Sequence, residues 1–464
     1  MAESSKGKKP EAIEEQEMQD RISNLPDGLR SHVLSFLPTK TTVQTSILSK
    51  KWHHIWKHQS VLYFTEFTED YHLYEDKQSD EQFKSFVVMV NSVLNLLHNP
   101  RAIRKMTLLL LCFYTLFEDK FRQYSVNNWI QSVIGPYLEE LHLTLVKDRQ
   151  GPDFKLPQTL FTSPNLVSLS LVGGISLQKL SSTPVSFPLL KNMLISIGSA
   201  EVLSVNALLS GCPIIETLDL SFCSMSLDKV CIPPSLKRLI ADTKNDRGAY
   251  LEINAPDLEY LNITKITFGE VFSMYNVVEA HLDVFPHSLS SVTSLHNLLG
   301  ALSGTKYLVL SPSTSKWLLG EPRDLLFQEF RYLVRLVLNL PRFNYNSLIS
   351  LLQKCPMLQV LIIHNVEDKV CVSSKYSLEQ SPVLRWAPQR SVPSCLVSHL
   401  KFIKFQGFLG LQDELFIKYA LRNGLVLEAM IVFDISVDQK QKCKIMKKLS
   451  NVRRACGMCQ LIFA

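Results

Sequence analysis

"LLSGCPIIETLDL", from Leu208 to Leu220, and "LLQKCPMLQVLII", from Leu351 to Ile363, share one layout. Each puts a helix-like leucine pair before Cys-Pro and then a run that reads as a strand. A layout repeated so far apart along one chain raises the question of what lies between. The strand half, L-x-x-L-x-L with other apolar residues substituting, starts at Leu138 (LEELHL), Leu166 (LVSLSL), Leu190 (LKNMLI), Ile215 (IETLDL) and Leu236 (LKRLIA). It continues at Leu258 (LEYLNI), Val277 (VVEAHL), Thr305 (TKYLVL), Leu333 (LVRLVL) and Leu358 (LQVLII), and an earlier copy starts at Ile103 (IRKMTL). From Leu138 onward the starts are separated by 28, 24, 25, 21, 22, 19, 28, 28 and 25 residues.

Steps of about 20–29 residues with this signature are those of leucine-rich repeats, and only one step sits at the margin. Each repeat supplies a short strand and a return segment, and neither buries its apolar side alone. Stacked neighbours share a parallel sheet and a continuous core. Strand side chains alternate, so the fourth and sixth residues of each unit point inward and those between them point out. The repeats lack a clean asparagine ladder, which predicts an irregular arc.

Composition agrees with a large folded chain. Of 464 residues, 46% are hydrophobic and 20% charged, and the formal net charge is +6. At about 100–200 residues per domain this length allows two to four domains or one long array. So small a positive excess is a weak argument for a nucleic-acid partner. The ten cysteines sit mostly in apolar stretches, as at Cys212, Cys223, Cys355 and Cys371, and no apolar leader segment precedes them. Reduced thiols in the nucleus or cytoplasm are expected. No window reaches the roughly 18–20 apolar residues of a membrane span, so no membrane partner is expected. Met106 to Phe117 (MTLLLLCFYTLF) is too short and reads as a buried strand.

Outside the repeats, residues 1–19 are polar and aperiodic, which predicts a disordered tail. Residues 20–60 read as helices. One starts near Pro26, carries Leu29, Val33, Leu34 and Leu37, and stops at Pro38. Thr39 or Thr41 is placed to cap a second, in which Val43, Ile47, Leu48, Trp52, Ile55 and Trp56 recur near the helical period. Leu25, Leu29, Val33, Leu37 and Leu48 are more apolar side chains than two short helices bury in one another, and an exposed remainder marks a partner site. Residues 366–394 look like a connector, with Pro382, Pro388 and Pro393. A compact unit follows. It reads as strand (SHLKFIKFQGF), helix (LQDELFIKYALRNG), strand (LVLEAMIVF), basic helix (DQKQKCKIMKKLSNVRRAC) and strand (CQLIFA).

Asp20 to Trp56 resembles an F-box. The resemblance rests on Leu25-Pro26, Val33-Leu34-Ser35-Phe36-Leu37-Pro38, Thr45-Ser46 before Leu48-Ser49-Lys50-Lys51-Trp52, and Ile55-Trp56. The whole chain resembles the plant F-box/leucine-rich-repeat proteins with an FBD domain. The FBD likeness lies in Val392-Pro393-Ser394-Cys395-Leu396, Phe405 to Gly410, Glu414-Leu415 and Leu427-Glu428-Ala429-Met430. The resemblance implies an α/β fold: a helical F-box (20–60), a leucine-rich-repeat solenoid with a parallel sheet (100–366), a connector (367–394) and an FBD-like α/β unit (395–464). It implies a substrate-recognition subunit of a Skp–cullin–F-box E3 ubiquitin ligase, docked on a Skp-type adaptor and through it on a cullin. The contact residues would be Leu25, Pro26, Leu29, Val33, Leu34, Leu37, Pro38, Leu48, Trp52 and Trp56. The competing reading is a non-degradative interaction scaffold in which the helical segment only caps the solenoid. Two departures stand out. Lys51 occupies a position where the family often has arginine, which keeps it cationic. Gly28 lies within the first helix, where glycine costs about 1 kcal/mol against alanine, predicting a helix that completes only on docking.

Catalytic chemistry is not expected. No G-x-x-x-x-G-K-S/T, H-E-x-x-H or G-x-S-x-G occurs. Cys456-Gly457-Met458-Cys459 lacks a second ligand pair, and His53 and His54 are neighbours that face different ways on a helix. No metal and no cofactor are expected. The basic run Lys440 to Arg454 reads as a solvated helix face with Ile445, Met446 and Leu449 inward. Counting two, four and six on from the repeat starts gives a target-binding surface. It holds Glu140, His142, Thr144, Ser168, Ser170, Thr217, Asp219, Ser221, Tyr260, Asn262, Thr264, Tyr307, Arg335, Asn339 and His364. Mixed in sign and rich in hydroxyls, it suits a target protein or peptide better than a nucleic acid.

Overall fold

In the computed structural model, residues 20–66, 76–112, 119–147, 153–177, 180–182, 184–223, 228–243, 250–264, 267–284, 289–320, 328–340, 345–365, 391–407, 411–433 and 439–463 are described. The expected tail (1–19) and nearly all of the expected connector, including Pro382 and Pro388, lie outside them.

Among the described residues, fifteen strands form one sheet in which every neighbouring pair is parallel and spatial order follows chain order. They are β1 (Val61–Thr65), β2 (Lys105–Cys112), β3 (Glu140–Lys147), β4 (Ser168–Gly173) and β5 (Asn192–Ser199). Next come β6 (Thr217–Cys223), β7 (Arg238–Thr243), β8 (Tyr260–Thr264), β9 (Glu279–Asp283) and β10 (Tyr307–Leu310). The last are β11 (Arg335–Leu340), β12 (Val360–Asn365), β13 (Phe402–Gly407), β14 (Ala429–Phe433) and β15 (Gln460–Phe463). Each strand from β2 to β12 begins two residues after its repeat start, so one register runs through the array. The alternation is as the repeat demands: Leu169 and Leu171 are buried while Ser168 and Ser170 are partly open. The inward residues form one continuous apolar cluster from Trp56 to Cys459.

The C-terminal elements have the expected types, with helices Leu411–Asn423 and Gln439–Ser450 between the strands. They do not form a sheet of their own: β13, β14 and β15 extend the main sheet. The reason is visible in Leu400-Lys401-Phe402-Ile403-Lys404-Phe405, which repeats the inward phase of the earlier units. Leu400, Ile403 and Phe405 are buried in the same core as Leu358, Leu361 and Ile363.

Spacing bears on the return segments. Four of the longer steps close with helices, Val202–Ser210, Leu289–Ala301, Pro312–Gly320 and Tyr345–Gln353, whereas the step from Leu138 to Leu166 closes with a short strand, Phe154–Lys155, and a 3-10 turn, Gln158–Thr162. The shortest steps, from Ile215 to Val277, close with strands Lys229–Ile232, Tyr250–Asn254 and Thr267–Ser273, which pair in a separate three-stranded sheet. A strand rises about 3.3 Å per residue against 1.5 Å for a helix, so it crosses the back of a repeat with fewer residues. At Gly173 (φ 97°) the sheet leaves no room for a side chain: a Cβ there would lie 2.2 Å from the Leu145 carbonyl oxygen.

Candidate interaction surfaces

The first helix spans Asp27–Leu34, with Pro26 at its N-cap. It is formed in the chain alone despite Gly28, contrary to the expectation that docking completes it. Arg30 is the clasp. Its guanidinium donates to the Asp27 carboxylate and the Lys51 carbonyl, and it lies 5.6 Å from the Trp52 ring centre. The second helix, Thr39–Gln44, is shorter than the periodicity predicts. A 3-10 turn (Thr45–Ile47) and, further on, a second one (Ile55–His58) replace its continuation. The Thr45 hydroxyl donates to the Thr42 carbonyl at 2.7 Å, a local bond that competes with helix propagation. The break lets the segment serve two cores. Leu34, Trp52 and Ile55 form a small cluster, whereas Trp56 joins the solenoid core.

One hydrogen bond ties the segment to the sheet, and two others brace it internally and against the residues that follow the next helix. The Tyr63 amide in β1 donates to the Thr39 hydroxyl at 2.8 Å. Neither Thr39 nor Thr41 caps the second helix, whose N-cap is Pro38. The Gln59 amide donates to the Ser31 carbonyl at 2.9 Å, and the His98 amide to the Lys57 carbonyl at 3.0 Å.

Several large apolar side chains are left outward among polar ones. Leu29, Val33, Leu37 and Leu48 are exposed, Pro26 and Pro38 likewise, and Leu25 is half-buried. Leu34, Trp52 and Trp56 are turned inward, at 2%, 5% and 6% exposure, and this corrects their assignment as direct adaptor contacts. Trp52 instead donates from its indole to the Ser23 hydroxyl at 2.7 Å. Two residues outside the expected contact set are the most open large apolar side chains of the segment: Phe36 at 75% and Ile47 at 85%. Phe36 lies inside the quoted Val33–Pro38 run, and Ile47 beside Leu48. Helical periods do not report their exposure, because the chain is no longer α-helical at either position.

The second surface is the outward face of the sheet. Glu140, Tyr260, Tyr307 and Arg335 occupy the first outward position of their strands, His142, Asp219 and Asn262 the second, and His364 the third. From β2 to β9 several of the charges have partners within the face. Glu140 lies 2.7 Å from Lys105 and 3.3 Å from His142, and the hydrogen bond from Lys105 holds its carboxyl below the usual range. Arg238 stacks 3.6 Å from the Tyr260 ring centre, Tyr260 lies 5.6 Å from His281, and His281 is 2.6 Å from Glu279. Arg238, His281 and Glu279 were absent from the sequence-derived set, although the same count from Leu236 and Val277 reaches all three. Burial raises the Asp219 carboxyl above its ordinary value, opposed in part by Arg238.

Among the described residues, no three His, Cys, Asp or Glu side chains are grouped to hold a metal, and no helix is long and apolar enough to cross a membrane. Cys459 is buried.

Comparison with known sequence families gives three matches. Residues 22–64 match the family described as "F-box domain", residues 126–281 "FBD-associated F-box protein At5g56370, LRR repeats", and residues 388–432 "FBD". Among similar proteins of Arabidopsis thaliana, F-box/FBD/LRR-repeat protein At4g00160 is 32% identical over 96% of this chain and 94% of its own length. F-box/FBD/LRR-repeat protein At4g26340 is 31% identical over 96% of this chain and its entire length. F-box/LRR-repeat protein 13 is 27% identical over 94% of each.

Proposed function

Because this chain belongs to the family of F-box/FBD/LRR-repeat proteins, we propose that it is the substrate-recognition subunit of a Skp–cullin–F-box E3 ubiquitin ligase. The observation that carries this reading is the apolar surface left in solvent by Leu29, Val33, Phe36, Leu37, Ile47 and Leu48. Large apolar side chains clustered at the surface are the anchors from which a few residues supply most of an interface's energy. The Skp-type adaptor covers them and joins the chain to a cullin. Trp52 and Leu34 act from beneath, by holding the outward residues in place.

The receptor makes no bond of its own. It holds a target protein on the open face of the sheet and raises the target's concentration near the catalytic subunits. Attachment through Thr39 and Trp56 fixes the direction of that face relative to the adaptor. The test is co-purification with a Skp-type adaptor. Wild type is expected to bind, and a Phe36→Asp, Ile47→Asp variant with an unchanged melting temperature is expected not to. Equal capture of both overturns the reading.

A further inference from the structure

The outward face of the sheet changes character toward the C-terminal end. Its middle row on β12 to β15 reads Ile362, Lys404, Ile431 and Ile462, in register from strand to strand. Phe402 and Phe433 flank it, both exposed. At about 4.8 Å between strands, this apolar strip is about 15 Å wide. The expected mixed, hydroxyl-rich surface therefore describes only the earlier strands.

Charge separates the two regions as well. On β2 to β9, Lys105, Arg238 and the two histidines have acidic or aromatic neighbours in the face. Among the described outward residues of β12 to β15, Lys404 is the only charged side chain. Its ammonium lies 5.3 Å from the Phe433 ring centre, and among the described residues no carboxylate pairs with it. Arg335, exposed on neighbouring β11, likewise has no carboxylate partner among them. His364 supplies no opposite charge; burial and the nearby Lys404 favour its neutral form. A half-buried ammonium among isoleucines and phenylalanines gains most from a carboxylate brought with apolar neighbours that exclude water.

Resting on the receptor reading above, we propose that this strip is where the target docks, and that the target presents an acidic–apolar segment. An Asp or Glu of that segment meets Lys404, while its flanking aliphatic or aromatic side chains cover Ile431, Ile462 and Phe433. The FBD region thereby supplies the hydrophobic part of the target-binding sheet. The polar strands from β3 to β9 are a mixed-charge surface beside it.

The experiment selects a displayed library of random nine-residue peptides on the immobilised full-length chain, and measures capture of a Skp-type adaptor by the same preparation. Wild type is expected to enrich Asp or Glu flanked by Ile, Leu, Val or Phe at least tenfold. Lys404→Glu should reverse the preference to Lys or Arg, and Lys404→Gln should keep the apolar preference and lose the acidic one. Melting temperatures of both variants should match wild type, since the side chain makes no core contact. Enrichment that ignores charge, or that Lys404→Glu leaves unaltered, overturns the proposal. Adaptor capture without peptide enrichment also overturns it and leaves the receptor reading intact. Enrichment without adaptor capture supports the strip and overturns the receptor reading.

Discussion

The Thr39 hydroxyl accepts a hydrogen bond from the Tyr63 amide at 2.8 Å. Tyr63 belongs to β1, the first strand of the sheet, and Thr39 opens the second F-box helix. A side chain of the helical segment thus satisfies a donor on the outer edge of the sheet, where no further strand pairs among the described residues. Thr39→Val keeps the shape and leaves that donor without its partner. We expect a loss of about 1 kcal/mol in thermal or denaturant unfolding, and faster hydrogen exchange at the Tyr63 amide. Unchanged exchange there would argue against the bond.

Stability and docking should separate by residue. Trp56 packs in the solenoid core, so Trp56→Ala is expected to cost about 3–5 kcal/mol. Phe36 is open, and Phe36→Ala should change stability by less than about 0.5 kcal/mol while weakening adaptor binding. Paired unfolding and binding measurements on the two variants check this. The reverse pattern would contradict the division into inward and outward residues.

Asp219 gives a pH signature. Burial raises its carboxyl in the folded chain above the ordinary value of 3.8. The folded state therefore binds the proton more tightly than the unfolded one. The stability gained by that proton is fully present below the ordinary value and is lost as pH rises through the raised value. Asp219→Asn is expected to stabilise the protein at neutral pH, with the advantage disappearing in acid. Unfolding midpoints of the two proteins across pH 3–7, a range set by ordinary carboxyl titration, provide the check.

How much of this was legible beforehand differs by element. Leu138, Leu166 and Leu358 announced their strands because alternation leaves a parallel strand little choice about which side chains are buried. The return segments were less legible, since a repeat closes with a helix or a strand and only its length favours one. Leu400, Leu427 and their followers carry the repeat's phase, but the expected connector and the FBD likeness suggest a boundary before them that the sheet does not have. In the helical segment, Trp52 and Trp56 stand four residues apart, a spacing that in an unbroken helix puts both on one face. The backbone breaks after Gln44, and both indoles turn inward into different cores. Phe36 and Ile47 lie at such breaks, where a helical count says nothing about exposure.

The cysteines offer a check on the core. Burial pushes the Cys212 and Cys395 thiols up to about 12, and Cys355 is raised further in the same direction. Cys231 and Cys443 are exposed. Native-state alkylation at pH 8 should label the exposed pair readily and the buried three only on unfolding. Rapid labelling of Cys355 would contradict the packing of helix Tyr345–Gln353 against the sheet.

The most direct test of the central claim is side-chain radical footprinting of the full chain with and without a Skp-type adaptor. Binding should lower modification of Phe36, Ile47 and Leu48 several-fold. Trp52 should stay protected in both states, and Phe433 on the distant end of the sheet should keep its reactivity. Phe36 and Ile47 remaining as reactive in the complex as in the free chain would contradict the account.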